Sequence, residues 1–271
     1  MLAKNRDRLL EGEIAAKLLR AVLGQPKVKA LLSDEDFLVD GTLIQAPPAA
    51  RPPAAAQTDR SRRDRWASIT SFRPKDGRGE PPAPGRNGER DFHGERRTNE
   101  THASTTDPEA GLHRKGKGKE TKLSFMGHLL MQSRHRLPLD GRVSEAGGTA
   151  ERDLAQTMLA ELPGRHRITV GGDRGLDTQG FAAAPTKLDA TPHVAQNTSN
   201  SRSVIDGRTT RHPGHAVSRR IRRRIEEGLG WIKEVAPQRR ARHRGRTRVG
   251  WQFTVAAAAC SLIRLPKLLP G

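Results

Sequence analysis

At Pro47 the chain abandons any pattern that can build a core. The stretch PPAARPPAAAQTDRSRRDR (47–65) is rich in Pro and Ala, then in charge, and carries no apolar periodicity. Such a stretch buries too little apolar surface to offset the entropy of ordering it, so it reads as a disordered insert. A second run of breakers, GRGEPPAPGRNGER (77–90), follows soon after. Any core must therefore be assembled from segments on either side of a long gap. Composition sets the same limit: hydrophobic residues are 34% of the 271, aromatics 3%, and Tyr is absent. Globular domains run at roughly 45–50% apolar, so part of this chain is core and part is not.

The periodic segments are few. Leu9, Leu10, Ile14, Leu18, Val22 and Leu23 fall near helical spacing and predict a helix over 5–24. Pro26 ends it, and a second short helix is expected to carry Val28, Leu31 and Leu32. In DFLVDGTLI (36–44) the continuous run Phe37, Leu38, Val39 suits a strand buried on both faces. Beyond the insert, KLSFMGHLLMQSR (122–134) and RLPLDGRVSEA (136–146) read as two strands joined by a polar turn. TAERDLAQTMLAEL (149–162) reads as a helix with Thr149 as N-cap and Leu154, Met158 and Leu162 on one face. RITVGGDRG (167–175) is a second buried-type strand, and TPHVAQN (191–197) a short further one. A long helix from near Ala216 carries Val217, Ile221, Ile225, Leu229 and Ile232 as an apolar stripe. Strands and helices in this order make an α/β fold.

Charge narrows the partner. Lys and Arg number 49 against 30 Asp and Glu, a formal net charge of +19. An excess of that size points to a polyanion, above all nucleic acid. A membrane fits less well, since there is no aromatic belt and no lipid-type amphipathic helix. The apolar run from Trp251 is interrupted by Arg264 and falls short of the roughly 20 residues a bilayer needs; it reads as a buried helix. A single cysteine, Cys260, excludes a disulfide framework or a Cys-based zinc site and points to a reducing cytoplasm. MLAKNRDRLLEGE lacks the apolar centre of a signal peptide.

Three acids stand out, each with an ordinary explanation. Asp40 precedes Gly41, and Asp-Gly is a common turn pair that recurs at Asp140–Gly141 and Asp206–Gly207. Asp173 sits among glycines that could simply make a turn, and Asp177 suits a helix cap. Glu226 has Arg222 four residues earlier, the spacing of a helical ion pair. Together they read differently. Asp40 and Asp173 end two apolar strands, and Glu226 lies on a later helix. Oxygen ligands from separate elements suit Mg²⁺ or Mn²⁺. Two such ions can activate a hydroxyl and stabilise the leaving oxygen of a phosphodiester, while the surplus Arg and Lys hold the DNA backbone.

FLVDGTLIQA, WASITSFRPKDG, THASTTDPEA, GGDRGLDT, TPHVAQN, IDGRTTRHPGHAVSRRIRRRIEEGLGWIK and RHRGRTRVGWQFTVAAAACSLIRLPKLL resemble DDE transposases of bacterial insertion sequences, in the IS-four/IS-five group. The resemblance covers nearly all of the chain outside 47–65. It implies an RNase H-like mixed sheet flanked by helices over 36–46 and 66–270, broken by the disordered insert at 47–65, with a remnant helical segment at 1–35. It implies DNA transposition: cutting and joining of double-stranded DNA at element ends by an Asp-Asp-Glu triad that uses Mg²⁺ or Mn²⁺. The expected setting is bacterial cytoplasm, on the nucleoid when bound to DNA; a homodimer is one assembly compatible with the sequence, which does not itself fix the oligomeric state.

Carried over by motif, the first acid is Asp40, the second is Asp173 in a D-x-G with Gly175, and the third is Glu226. The family's closing signature, Tyr, two residues, Arg, three residues, Glu, six residues, Lys, is met by Arg222, Glu226 and Lys233, which makes Arg222 and Lys233 phosphate contacts. Arg219 stands in the Tyr position, and Leu176 where an aromatic often follows D-x-G. Gly228 and Gly230 lie in the Glu226 helix, where each costs about 1 kcal/mol relative to Ala and is expected to loosen it. Family members carry a helical DNA-end-binding domain before the KNRDRLLEG region, which Met1 almost directly precedes here, so a truncated copy is expected. The alternative is a non-catalytic relic that binds DNA nonspecifically through charge.

The remaining features weigh less. RRARHRGRTR (239–248) is expected to contact the DNA backbone through Arg239, Arg240, Arg242 and Arg244. In RKGKGKETK (114–122), Lys115 and Lys117 read equally as phosphate contacts or as a solvated charge run, without the Walker spacing. His93, His102, His128 and His215 fit no zinc pattern and read as structural. Cys260 reads as packing, and Trp66, Trp231 and Trp251 are too few for a base-stacking platform.

Overall fold

The structure, a computed structural model, describes residues 2–47, 72–76, 98–114, 121–164, 167–181, 190–197 and 203–269. The expected insert beyond Pro47, the breaker run at 77–90, Trp66, His93, Lys115 and Lys117 lie outside them.

In chain order the strands are β1 (Asp36–Gln45), β2 (Phe72–Pro74), β3 (His102–Ser104), β4 (Gly111–Arg114), β5 (Thr121–Gln132), β6 (Pro138–Glu145), β7 (Ile168–Gly172) and β8 (Ala190–Val194). The helices are α1 (Leu2–Glu11), α2 (Ile14–Gly24), α3 (Pro26–Lys29), α4 (Ala150–Ala160), α5 (Gly207–Arg211), α6 (Pro213–Ile221), α7 (Arg223–Glu234) and α8 (Arg246–Leu268). Among the described residues the centre is a six-stranded sheet in the order β4-β5-β1-β7-β8, with β6 also paired to β5. The β1–β5, β4–β5 and β5–β6 pairs are antiparallel, whereas β1–β7 and β7–β8 are parallel. This is the mixed sheet flanked by helices of the RNase H-like fold. Phe72–Pro74 and His102–Ser104 pair as a separate two-stranded ribbon.

The run Phe37, Leu38, Val39 is buried on both faces, as its continuity predicts. Side chains alternate across a strand. Leu38 and Ile44 therefore join Leu129, Met131, Ile225, Leu229, Ile232, Val249 and Phe253 on the face covered by α7 and α8. Phe37 and Val39 join Leu130, Ala155, Met158, Val170 and Phe181 on the face covered by α4.

Four local expectations are met only in part. The helix over 5–24 is two helices, because Glu13 takes a φ of 50° and turns the chain between them. The long helix from Ala216 is also two, parted at Arg222, where the Ile225 N–H donates to the Arg222 carbonyl three residues back. The break changes the register: Val217 is exposed at 47%, and α6 buries His215 and Ser218 instead. Thr149 stands at the N-cap of α4 without a side-chain cap bond, and that helix ends at Ala160 before Leu162. Finally, the two glycines of α7 differ in their surroundings, and Gly228 is packed rather than open. The position is buried and a Cβ there would lie 2.5 Å from Met131 Cε, so the glycine is what lets α7 close onto β5; Gly230 faces open space.

Candidate active site

β1 is longer than its neighbour. Its pairing with β7 stops at Leu38–Gly171, and its far end is bridged at Gln45 by Arg240. Gln45 already faces Ser124 of β5, so Arg240 occupies the edge that β7 leaves free. Between these two points no described strand pairs with this edge of β1. Asp40 stands in this gap. It therefore lies in mid-strand, paired to Leu129 of β5, and neither ends its strand nor starts a turn. An Asp-Gly pair makes a turn only where the ladder lets the chain leave, and here β5 holds the ladder through Gly41 to Gln45.

Asp173 follows the last residue of β7. Continuing the Leu38–Gly171 register by two residues sets it beside Asp40. It begins a 3-10 turn (Arg174–Leu176), and its Oδ1 accepts the Gly175 N–H at 2.6 Å. A Cβ at position 175 would stand 2.9 Å from that oxygen, which is the physical reason for glycine in D-x-G.

Glu226 lies in the first turn of α7, exposed, and accepts from Arg222 Nη2 at 2.9 Å. Its helix is pinned to the β5–β6 turn, where Arg224 Nη1 donates to the Ser133 carbonyl at 2.9 Å. The neighbouring Glu227 is taken by Arg136 of the same turn.

One acid was not anticipated. Glu151, in the first turn of α4, reaches β1 from the opposite face. A Cβ built on Gly41 would lie 3.2 Å from its Cγ and Cδ, so the missing side chain at 41 makes the space Glu151 fills. In sequence, an acid in a helical first turn is what the helix dipole favours, so TAERD carries no sign of a second role.

Electrostatics ties the four carboxylates into one group. Burial pushes the Asp40 carboxyl from 3.8 up to about 6; the Gly41 N–H pulls it down, Asp173 and Glu226 push it further up, and Arg222 opposes them. Burial likewise pushes Glu151 from 4.5 up to about 7, helped by Asp173 and Asp40 and opposed by the Gly41 N–H and Arg222. Arg222 thus acts as the counter-charge of the group.

As they stand, no three Asp, Glu, His or Cys side chains among the described residues form a metal-holding set. The donors nevertheless fit a hard divalent cation. All are carboxylate oxygens, and Glu151 Oε1 is buried without a hydrogen-bond partner.

The expected DNA contacts sort by surroundings. Arg242 and Arg244 are exposed on the segment after α7. Arg239 is exposed and paired with Glu234, while Arg240 and Lys233 are half-buried. The described histidines are structural in their contacts: His102 stacks on Phe72 with ring centroids 5.4 Å apart, His128 Nε2 meets Ser144 Oγ at 2.8 Å, and His215 Nε2 meets the Val194 carbonyl at 3.1 Å. Asp177 stands at the C-cap of the 3-10 turn, its N–H donating to the Arg174 carbonyl, while its buried carboxylate accepts the N–H groups of Asn197 and Val204. Cys260 is buried in α8. No described helix is long and apolar enough to cross a membrane.

The family model for the transposase DDE domain matches residues 32–263, a span that runs from just before β1 into α8 and includes all four acids. No curated protein matches the chain.

Proposed function

The chain belongs to the transposase DDE domain family, and from that premise we propose that it cleaves and transfers DNA strands at the ends of a mobile element. What supports this most is the Leu38–Gly171 register, which continued by two residues sets Asp173, just past β7, beside Asp40, together with the repulsion that Asp173 exerts on the Asp40 carboxyl. Asp40, Asp173 and Glu226 would hold Mg²⁺ or Mn²⁺, with residues 36–46 and 66–270 as the catalytic domain. The bound cation supplies activation of a water or a DNA 3′-hydroxyl and neutralises charge at the attacked phosphodiester.

The chain's own groups do the rest. Asp173 is held in place by the Gly175 N–H, and Asp40 by the Gly41 N–H at 2.8 Å. Arg222 balances the acids and holds Glu226 at 2.9 Å. Arg242 and Arg244 are exposed where they could meet phosphates, past the Gln45–Arg240 bridge on the same strand edge. Lys233, two turns on from Glu226 along the same helix face, would position a phosphate beside them.

The test is plasmid nicking in Mn²⁺ by the wild type and Asp173→Asn, beside DNA binding by anisotropy. Nicking lost in the variant with binding retained supports the reading. Equal nicking by both sinks the triad. Salt-sensitive binding by a wild type that never nicks leaves a DNA-binding relic.

A further inference from the structure

We propose that Glu151 is a fourth carboxylate ligand of this site, giving its buried oxygen to the divalent cation that Asp40 and Asp173 hold. The proposal rests on the metal-dependent reading above.

Three observations carry it. The first is contact. Glu151 comes from α4, which covers the face opposite to α7, yet its carboxyl lies against β1 at Gly41, next to Asp40. A methyl group at 41 would crowd it, standing 3.2 Å from Cγ and Cδ and 3.4 Å from Oε2. The second is the orphaned oxygen. Glu151 Oε1 is buried and accepts no hydrogen bond among the described residues. Leaving a buried acceptor unpaired costs about 1–3 kcal/mol, so an oxygen left unpaired on a carboxyl whose one N–H partner is Gly41 is best explained by a ligand that supplies the second. The third is charge. The same carboxyl feels Asp173 and Asp40 as repulsive neighbours, and Arg222 only partly offsets them. A divalent cation removes that repulsion.

The competing explanation is an acid that merely complements the helix dipole. Its neighbour Asp153 serves that purpose in the same turn. Asp153 is exposed and lies 3.6 Å from the guanidinium of Arg152. A dipole acid has no reason to leave solvent for a strand edge that already holds two carboxylates.

Mn²⁺ titration by calorimetry separates the possibilities, with wild type, Asp173→Asn, Glu151→Gln, Glu151→Asp and Asp153→Asn compared. Circular dichroism and melting curves establish that each is folded. The expected result is loss of binding in Asp173→Asn and a weakening of at least about tenfold in Glu151→Gln, with no change in Asp153→Asn. Glu151→Asp keeps the charge but draws it back by one methylene, and should weaken binding less; it decides the question should Glu151→Gln fail to fold. Wild-type affinity in Glu151→Gln beside lost binding in Asp173→Asn overturns the fourth ligand and leaves the metal site standing. Unchanged binding in both, or none in the wild type, overturns the metal reading and the fourth ligand with it.

Discussion

A methyl group at Gly228 would stand 2.5 Å from the Cε of Met131, whereas one at Gly230, a half-turn along the same helix, meets nothing within 4 Å. Met131 is 1% exposed, so its terminal methyl has nowhere free to go. The two glycines of α7 should thus respond oppositely to alanine. Gly230→Ala gains about 1 kcal/mol from helix propensity. Gly228→Ala falls short of it by about 1–2 kcal/mol as the core is overpacked, and Gly228→Val costs more again. Urea melts of the three variants provide the comparison, and equal gains at both positions would refute the close packing of α7 on β5.

Asp40 makes stability depend on pH. Folded, it holds its proton up to about pH 6; unfolded, it releases it near 3.8. Between those values the folded chain binds more protons, so raising the pH costs stability. Asn cannot titrate. In chelator, the stability of Asp40→Asn relative to wild type should therefore rise from about pH 4 to about pH 6 and then stay constant, by on the order of 2–3 kcal/mol. The difference is the right quantity to follow. Burial holds His128 and His193 neutral down to about pH 4, so they stabilise the fold as pH rises over much of the same range. A flat difference curve would mean that Asp40 is not buried.

DNA affinity should register how the exposed arginines differ. Each phosphate contact contributes about −0.9 to the slope of log affinity against log salt on duplex DNA. The double variant Arg242→Ala/Arg244→Ala should flatten the slope by about 1.8. Arg239→Ala should change it less, because Glu234 already occupies that guanidinium. Anisotropy titrations across a salt series give both values, and an equal or larger effect of Arg239 would place the DNA elsewhere.

Two acids far away in sequence hold the start of α8. Asp107, 2% exposed, accepts the Gly245 N–H at 3.1 Å, and Glu109 accepts the Arg246 N–H at 2.9 Å. Removing the buried acceptor with Asp107→Ala should cost about 1–2 kcal/mol, as lost helix caps do. Asp107→Asn keeps an acceptor oxygen and should cost less. Thermal melts that fail to rank the pair this way would argue against the cap.

Much of this architecture was legible because burial leaves a period in the sequence. The run Phe37–Val39, the two strands around 122–146 and the strand before Asp173 were all readable in that way, and the family motifs added their connection. What escaped was set by single residues whose effect depends on distant partners. Arg222 carries no breaker, yet the helix parts there because α6 and α7 bury different faces. Asp40–Gly41 has the letters of a turn, and only the unbroken ladder with β5 makes it mid-strand. Glu151 was invisible because an acid in the first turn of a helix is unremarkable. Its role depends on Gly41, more than a hundred residues earlier, having no side chain.

The parallel register of β1 and β7 carries a last implication. Asp40 and Asp173 meet only because two more residues follow the last paired step on each strand. A slip of one residue anywhere along β7 would turn Asp173 to the other face of the sheet. Damage to this site therefore need not touch an acid. Any lesion that shifts the ladder would dismantle the cluster in one stroke, so loss of function should track strand alignment as closely as it tracks the carboxylates themselves.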